Sequence, residues 1–204
     1  MHERLLRGLK SGFAGNLFFI LFGITCYIYY LTFSAGSVLS TVIEIIAYIF
    51  EAFGFFFSVL AIIDINKSVR MRKWLKIGLP VYIGVELIMM VLELNSFRFR
   101  FYNPYSLPLA IIHAIFSAFI CFSFLSLDSG NVKLETVITV CFGIILGGML
   151  GNVIGIRIYF SIITNAISYT ILFAAIRWML KREIIEIDCH GDKARVSEYK
   201  SSFF

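Results

Sequence analysis

The sequence predicts an all-α, polytopic membrane helix bundle with six transmembrane helices and both termini on the cytoplasmic side. Three observations carry that prediction. Of 204 residues, 59% are hydrophobic and only 15% are charged, against about 45–50% and about 25% in soluble domains. The apolar residues fall in runs long enough for spans of about 20 residues. The cations are biased to one side. Fifteen of the eighteen Lys and Arg lie in 1–12, 64–76, 128–135 and 177–204, and the segments alternating with these hold only Arg98, Arg100 and Arg157. Short basic loops stay in the cytoplasm, so the four basic segments are placed inside.

The first twelve residues set Leu5, Leu6 and Leu9 on one helical side, with Arg4, Arg7 and Lys10 between them. The pattern suits a short interfacial helix among lipid headgroups, or equally the solvated start of the first span. The apolar run that follows exceeds an ordinary signal-peptide core and no small-residue cleavage site follows it, so it reads as an uncleaved anchor. Span one is placed at 13–33, with Asn16 its one strongly polar residue. Gly8, Gly12 and Gly15 thin one side of its start, where another helix can approach closely. Ser34, Ala35, Gly36 and Ser37 form a tight turn.

Span two is placed at 38–63 and is closed by Asp64. The basic run 66–76 then marks a cytoplasmic loop, not a nucleic-acid site. Span three, 77–94, tolerates Pro80 in its first turn. The ring-and-cation alternation at 97–102 reads as an extended lid or strand-like loop at the interface, or as an aromatic belt with Arg98 and Arg100 reaching for phosphates. Span four is placed at 107–127 and carries His113. Span five, 134–154, holds Gly143, Gly147, Gly151 and Gly155, a ladder at four-residue spacing that predicts a close helix–helix seam. Span six, 156–180, has a polar side at Ser161, Thr164, Asn165 and Ser168, and 181–204 form a polar cytoplasmic tail. The 22 phenylalanines fit a lipid-facing surface. The four cysteines match no zinc or redox spacing and read as small buried residues with no disulfide. Asp188, Cys189 and His190 are adjacent in the tail, which is poor metal-ligand geometry. No cofactor motif is present.

The chemistry concentrates in four carboxylates. Glu44 and Glu51 are seven residues apart in span two, and Glu86 and Glu93 are seven apart in span three. That spacing is close to two turns, so each pair shares one helix face. Antiparallel pairing about the basic loop brings Glu51 to Glu86 near mid-membrane and Glu44 to Glu93 nearer the outer surface. The inner pair lies about 10 Å deeper along the helix axes. A charge at the bilayer centre costs about 2.5–3.5 kcal/mol on insertion scales, so each needs water, a partner or a proton.

Three readings compete. In the first, an acidic cleft binds a cation, a proton or an amine-containing small molecule, flanked by Tyr48 and Tyr82, with His113 and Asn165 as further polar ligands. Transport or solute binding is then the function. In the second, the chain is a structural or accessory membrane subunit. Its glutamates are neutralised by Arg98, Arg100 and Arg157, and it assembles with a copy of itself or a partner through its glycine-rich faces. In the third, the carboxyls do acid–base chemistry on a lipid. The third is disfavoured: no nucleophile elbow or zinc-protease motif occurs, and His2, His113 and His190 are far apart. The setting is a bilayer, with a bacterial-type cell membrane preferred and nucleic acid excluded as a partner.

Six spans, both ends inside, an outward cavity and small residues on span one together resemble the substrate-binding subunits of energy-coupling-factor vitamin transporters. The resemblance lies in layout and is carried by no motif. It implies that either the Gly8, Gly12 and Gly15 side or the span-five ladder docks a partner.

Overall fold

The computed structural model describes residues 2–32, 37–68, 84, 87–88, 132–153 and 158–182. They form four long helices: α1 His2–Thr32, α2 Val38–Ser68, α3 Val132–Val153 and α4 Ile158–Lys181. Three carry stretches long and apolar enough to cross a membrane: Glu3–Thr32, Val38–Ile65 and Ile162–Lys181. The described residues are helical almost throughout, and these three helices mark an integral membrane protein.

α1 is one helix of 31 residues. The separate interfacial helix suggested by residues 1–12 does not form. Leu5 and Leu9 are each only 1% exposed and pack inside the bundle, not among headgroups. A helix of this length measures about 46 Å, so it crosses an apolar layer of about 30 Å and runs on into the interface.

α1 is the centre of the described bundle, with α2 and α4 packed on it and α3 packed on α4. The α1–α2 connection is capped locally. Ser37 Oγ accepts the Ser40 backbone N–H at 3.1 Å, and Ser40 Oγ donates to the Ser37 carbonyl at 2.8 Å. This satisfies backbone and side-chain groups at the start of α2 that have no intrahelical partner.

Small residues set the spacing between helices. A Cβ added at Gly15 would lie 3.0 Å from the Gly54 carbonyl oxygen and 2.9 Å from Ser58 Oγ, both on α2. At Gly8 it would meet Ile65, Asp64 and the Ala61 carbonyl of the same helix. At Gly12 it would strike the Phe173 ring of α4, and at Gly23 the Ile163 side chain. The thinned side of α1 is therefore packed against α2 and α4 of the same chain.

Two clusters fix the directions. One joins Leu5 and Leu9 of α1, Ile65 of α2, Leu134 and Ile138 of α3, and Ile176, Met179 and Leu180 of α4. The other joins Phe22, Cys26 and Tyr29 of α1 to Ile43 and Ala47 of α2, with Ile162 of α4 packed against it. Hence α2 and α4 run antiparallel to α1. The start of α1, the end of α2, the start of α3 and the end of α4 share one end of the bundle, and the basic residues cluster there. Arg182 lies 4.7 Å over the Trp178 ring at this end. Phenylalanine is also used between helices: Phe18 of α1 stacks on Phe53 and Phe57 of α2, centroids 5.4 and 5.7 Å away. The outward faces remain apolar and exposed, as at Leu21, Ile28, Ile49, Phe53 and Ile171, which suits contact with lipid.

Hydroxyl groups within the helices are satisfied locally. Thr25, Thr164, Ser168 and Thr170 each donate to the carbonyl four residues earlier, at 2.7–2.9 Å. A bilayer offers no water to do this.

Candidate functional site

α2 presents one face to the bundle, and the acidic residues lie on it. The fully buried positions run Ser40, Ile43, Ala47, Glu51, Gly54, Ala61, Ile65 and Ser68, with Glu44, Tyr48 and Ser58 half-buried beside them. Intervals of three and four mark a single helical stripe. The stripe continues because Ala47 and Gly54 are small enough for α1 to close on either side of Glu51. Glu51 is 2% exposed. Glu44, two turns nearer the far end, is half-buried, and the Tyr48 hydroxyl donates to its Oε1 over a long 3.5 Å. The seven-residue spacing thus places both acids toward protein, not lipid.

α4 supplies polar groups from the other flank of α1. Ser168 is fully buried, and Asn165 is half-buried with its Oδ1 shielded and accepting no hydrogen bond from any described residue. Gly15 meets Gly54 and Ser58, while Gly23 meets Ile163. Following these registers along α1 sets Glu51 and Asn165 at nearly the same height, beside Phe19 to Phe22. Asn16, the polar residue of α1, is spent within its own helix: its Nδ2 donates to the Gly12 carbonyl at 2.8 Å.

Glu86, Glu93, Tyr82 and His113 lie outside the described residues, as do Arg98, Arg100 and Arg157. No group of three His, Cys, Asp or Glu side chains with metal-ligand geometry occurs among the described residues. Of the glycine ladder, Gly143 and Gly147 stand exposed on α3, with no described atom within 4 Å of an added Cβ, and Gly155 is not described. Cys26 and Cys141 are buried thiols outside any disulfide.

One pairing escaped the sequence reading. Arg7 grips Asp64 with two parallel bonds, Nε to Oδ2 at 2.7 Å and Nη2 to Oδ1 at 2.9 Å, and Arg4 Nε stands 4.0 Å from the same carboxylate. The fork geometry matches a carboxylate and fixes the α1–α2 register at the basic end. The signal was available, since Arg7 and Asp64 are nearly equidistant from the Ser37 turn and carry opposite charges.

The chain matches no protein-family model, and no curated protein or solved structure matches it. The reading of function therefore rests on the residues themselves.

Proposed function

We propose that the chain is a six-span, multi-pass membrane protein, its termini cytoplasmic, that binds a cation, a proton or an amine-containing small molecule in an acidic interior cleft, in the service of transport or solute capture. The observation that carries the reading is the burial of Glu51. A carboxyl kept in the interior of a membrane bundle is costly wherever it lacks a compensating charge, proton or water, and such residues mark ion and substrate paths. Glu44 with Tyr48 lies on the same stripe toward the far end, and Asn165 adds a shielded carbonyl oxygen at the depth of Glu51. In this reading Glu86 and Glu93 complete the acidic lining, with Tyr82 and His113 beside them. The gathering of basic segments at one end supports the cytoplasmic assignment of that end. A bacterial-type cell membrane is the setting proposed.

The test is a ligand screen on purified wild type and the double variant Glu51→Gln, Glu86→Gln. Sodium ions, divalent cations and simple amines are added, and the melting temperature is followed, since a ligand that favours the folded state raises it. The reading expects at least one probe to stabilise the wild type and to lose that effect in a double variant that stays monodisperse. A ligand effect unchanged in the double variant refutes it.

A second reading, an accessory subunit, is favoured by the open space beside Gly143 and Gly147 on a face that also exposes Val140 and Ile144. It predicts a detergent-stable assembly that Gly147→Leu dissociates. An unchanged native mass counts against it.

A further inference from the structure

A concavity opens beside the Arg7–Asp64 pair at the basic end of the α1–α2 seam. This cavity of about 620 Å³ is lined by Glu3, Arg4, Arg7 and Lys67. Its charge is lopsided. Asp64 is already engaged by Arg7, and among the described lining residues Glu3 is the one acid against three cations. Lys67 makes no ion pair with any described residue, and Arg4 only grazes Asp64 at 4.0 Å. Arg7, Arg4 and Lys67 thus draw on one carboxylate, Asp64, and among the described residues the lining keeps an excess of positive charge.

Lys67, which lines the cavity, also ends an apolar stripe on the outward side of α2. Phe56, Leu60 and Ile63 are exposed at 37–55%. They are spaced by four and three residues, and Lys67 follows Ile63 by four more. At 3.6 residues per turn the four positions form one straight stripe. An apolar track about 16 Å long therefore runs up α2 and ends at Lys67, where the cationic cradle opens. A free phosphate needs no such track. A molecule with an anionic phosphate head and an acyl chain uses both.

We propose that this junction is a binding site for an anionic phospholipid. The phosphate sits between Arg4 and Lys67, with Arg7 behind it, and one acyl chain lies along Phe56, Leu60 and Ile63. The Arg7–Asp64 pair acts as a positioning element that holds the two helices at the spacing the head requires. The site does not depend on the acidic cleft.

The experiment uses delipidated, purified full-length protein in mild detergent. Short-chain phosphatidylglycerol, phosphatidylcholine of the same chain length, and inorganic phosphate are titrated separately, and bound lipid is counted by native mass spectrometry. Wild type is expected to prefer phosphatidylglycerol over phosphatidylcholine. In Arg4→Gln, Lys67→Gln that preference should fall by about thirtyfold, two cations at a membrane surface being removed. Both side chains are exposed, so the fold should survive; the charge-preserving Arg4→Lys, Lys67→Arg should retain the preference. A control, Lys10→Gln with Lys181→Gln, removes two cations from the same end but outside the cavity and should also retain it. Equal loss in the control would reduce the site to a general basic surface and overturn the proposal. So would equal binding of phosphatidylcholine, or phosphate ion competing off the lipid at comparable concentration.

Discussion

Replacing Gly15 with alanine and, separately, Gly143 with alanine should move stability in opposite directions, although both are helical glycines in apolar stretches. Alanine gains about 0.8–1.0 kcal/mol over glycine in a helix interior. At Gly143 nothing described lies within 4 Å of the new methyl, so the gain should appear nearly whole. At Gly15 the methyl meets Ser58 Oγ at 2.9 Å, the Gly54 oxygen at 3.0 Å and the Ser58 nitrogen at 3.1 Å. Two of these are backbone atoms that cannot rotate away, so the helices must part, and overpacking of this kind costs about 1–3 kcal/mol. The net expectation at Gly15 is a loss of up to about 2 kcal/mol, placing the two variants about 1–3 kcal/mol apart. The assay uses the buried thiols Cys26 and Cys141. With Cys121 and Cys189 changed to serine, the rate of thiol labelling in detergent reports opening of the bundle. The Gly15 variant should label about tenfold faster than the Gly143 variant, as about 1.4 kcal/mol implies. Equal rates would refute the claim that α1 and α2 are held at glycine distance. Destabilisation at Gly143 would mean that the ladder packs against another surface, as the accessory-subunit reading requires.

Other expectations follow from the same contacts. Ser37→Ala removes the cap of α2 and should lower stability by about 1 kcal/mol, while Ser37→Asp should keep most of it; thermal unfolding in detergent decides. Arg7→Asp should weaken the seam at the basic end, and the exchange Arg7→Asp, Asp64→Arg should recover much of the loss. Both effects should shrink as salt rises, because the Arg7 side chain is 65% exposed. Failure of the exchanged pair to recover would show that Arg7 acts through packing and not through charge.

Much of this architecture is legible in the sequence because membrane helices announce themselves by apolar length. The apolar run at 38–63 falls within α2, and the runs at 134–154 and 156–180 nearly coincide with α3 and α4. The buried face of α2 is legible too, since a seven-residue repeat of glutamate among small residues can only be one stripe. Residues 1–12 mislead, because leucines among cations fit an interfacial helix as well as a buried helix start. The burial of Leu5 and Leu9 depends on Ile65 and Leu180, which no local pattern reveals. Glycine spacing is informative in part, and the close approach read for Gly8, Gly12 and Gly15 is present. The regular ladder at Gly143 and Gly147 faces no described neighbour, whereas an added Cβ at Gly8, Gly12, Gly15 or Gly23 would come within 2.5–2.9 Å of α2 or α4. Spacing shows that a helix can be approached; only the register of its neighbours shows where it is.

The most direct test of the acidic cleft is proximity between its two central carboxyl positions. In a cysteine-free background, Glu51→Cys with Glu86→Cys should be bridged within one chain by a short bifunctional thiol reagent. Glu51→Cys with Ile88→Cys should not be bridged, since Ile88 is 53% exposed on the outer surface. Bridging of the first pair alone is the result expected. No bridge at Glu86, or equal bridging at Ile88, would contradict the pairing of acids between spans two and three.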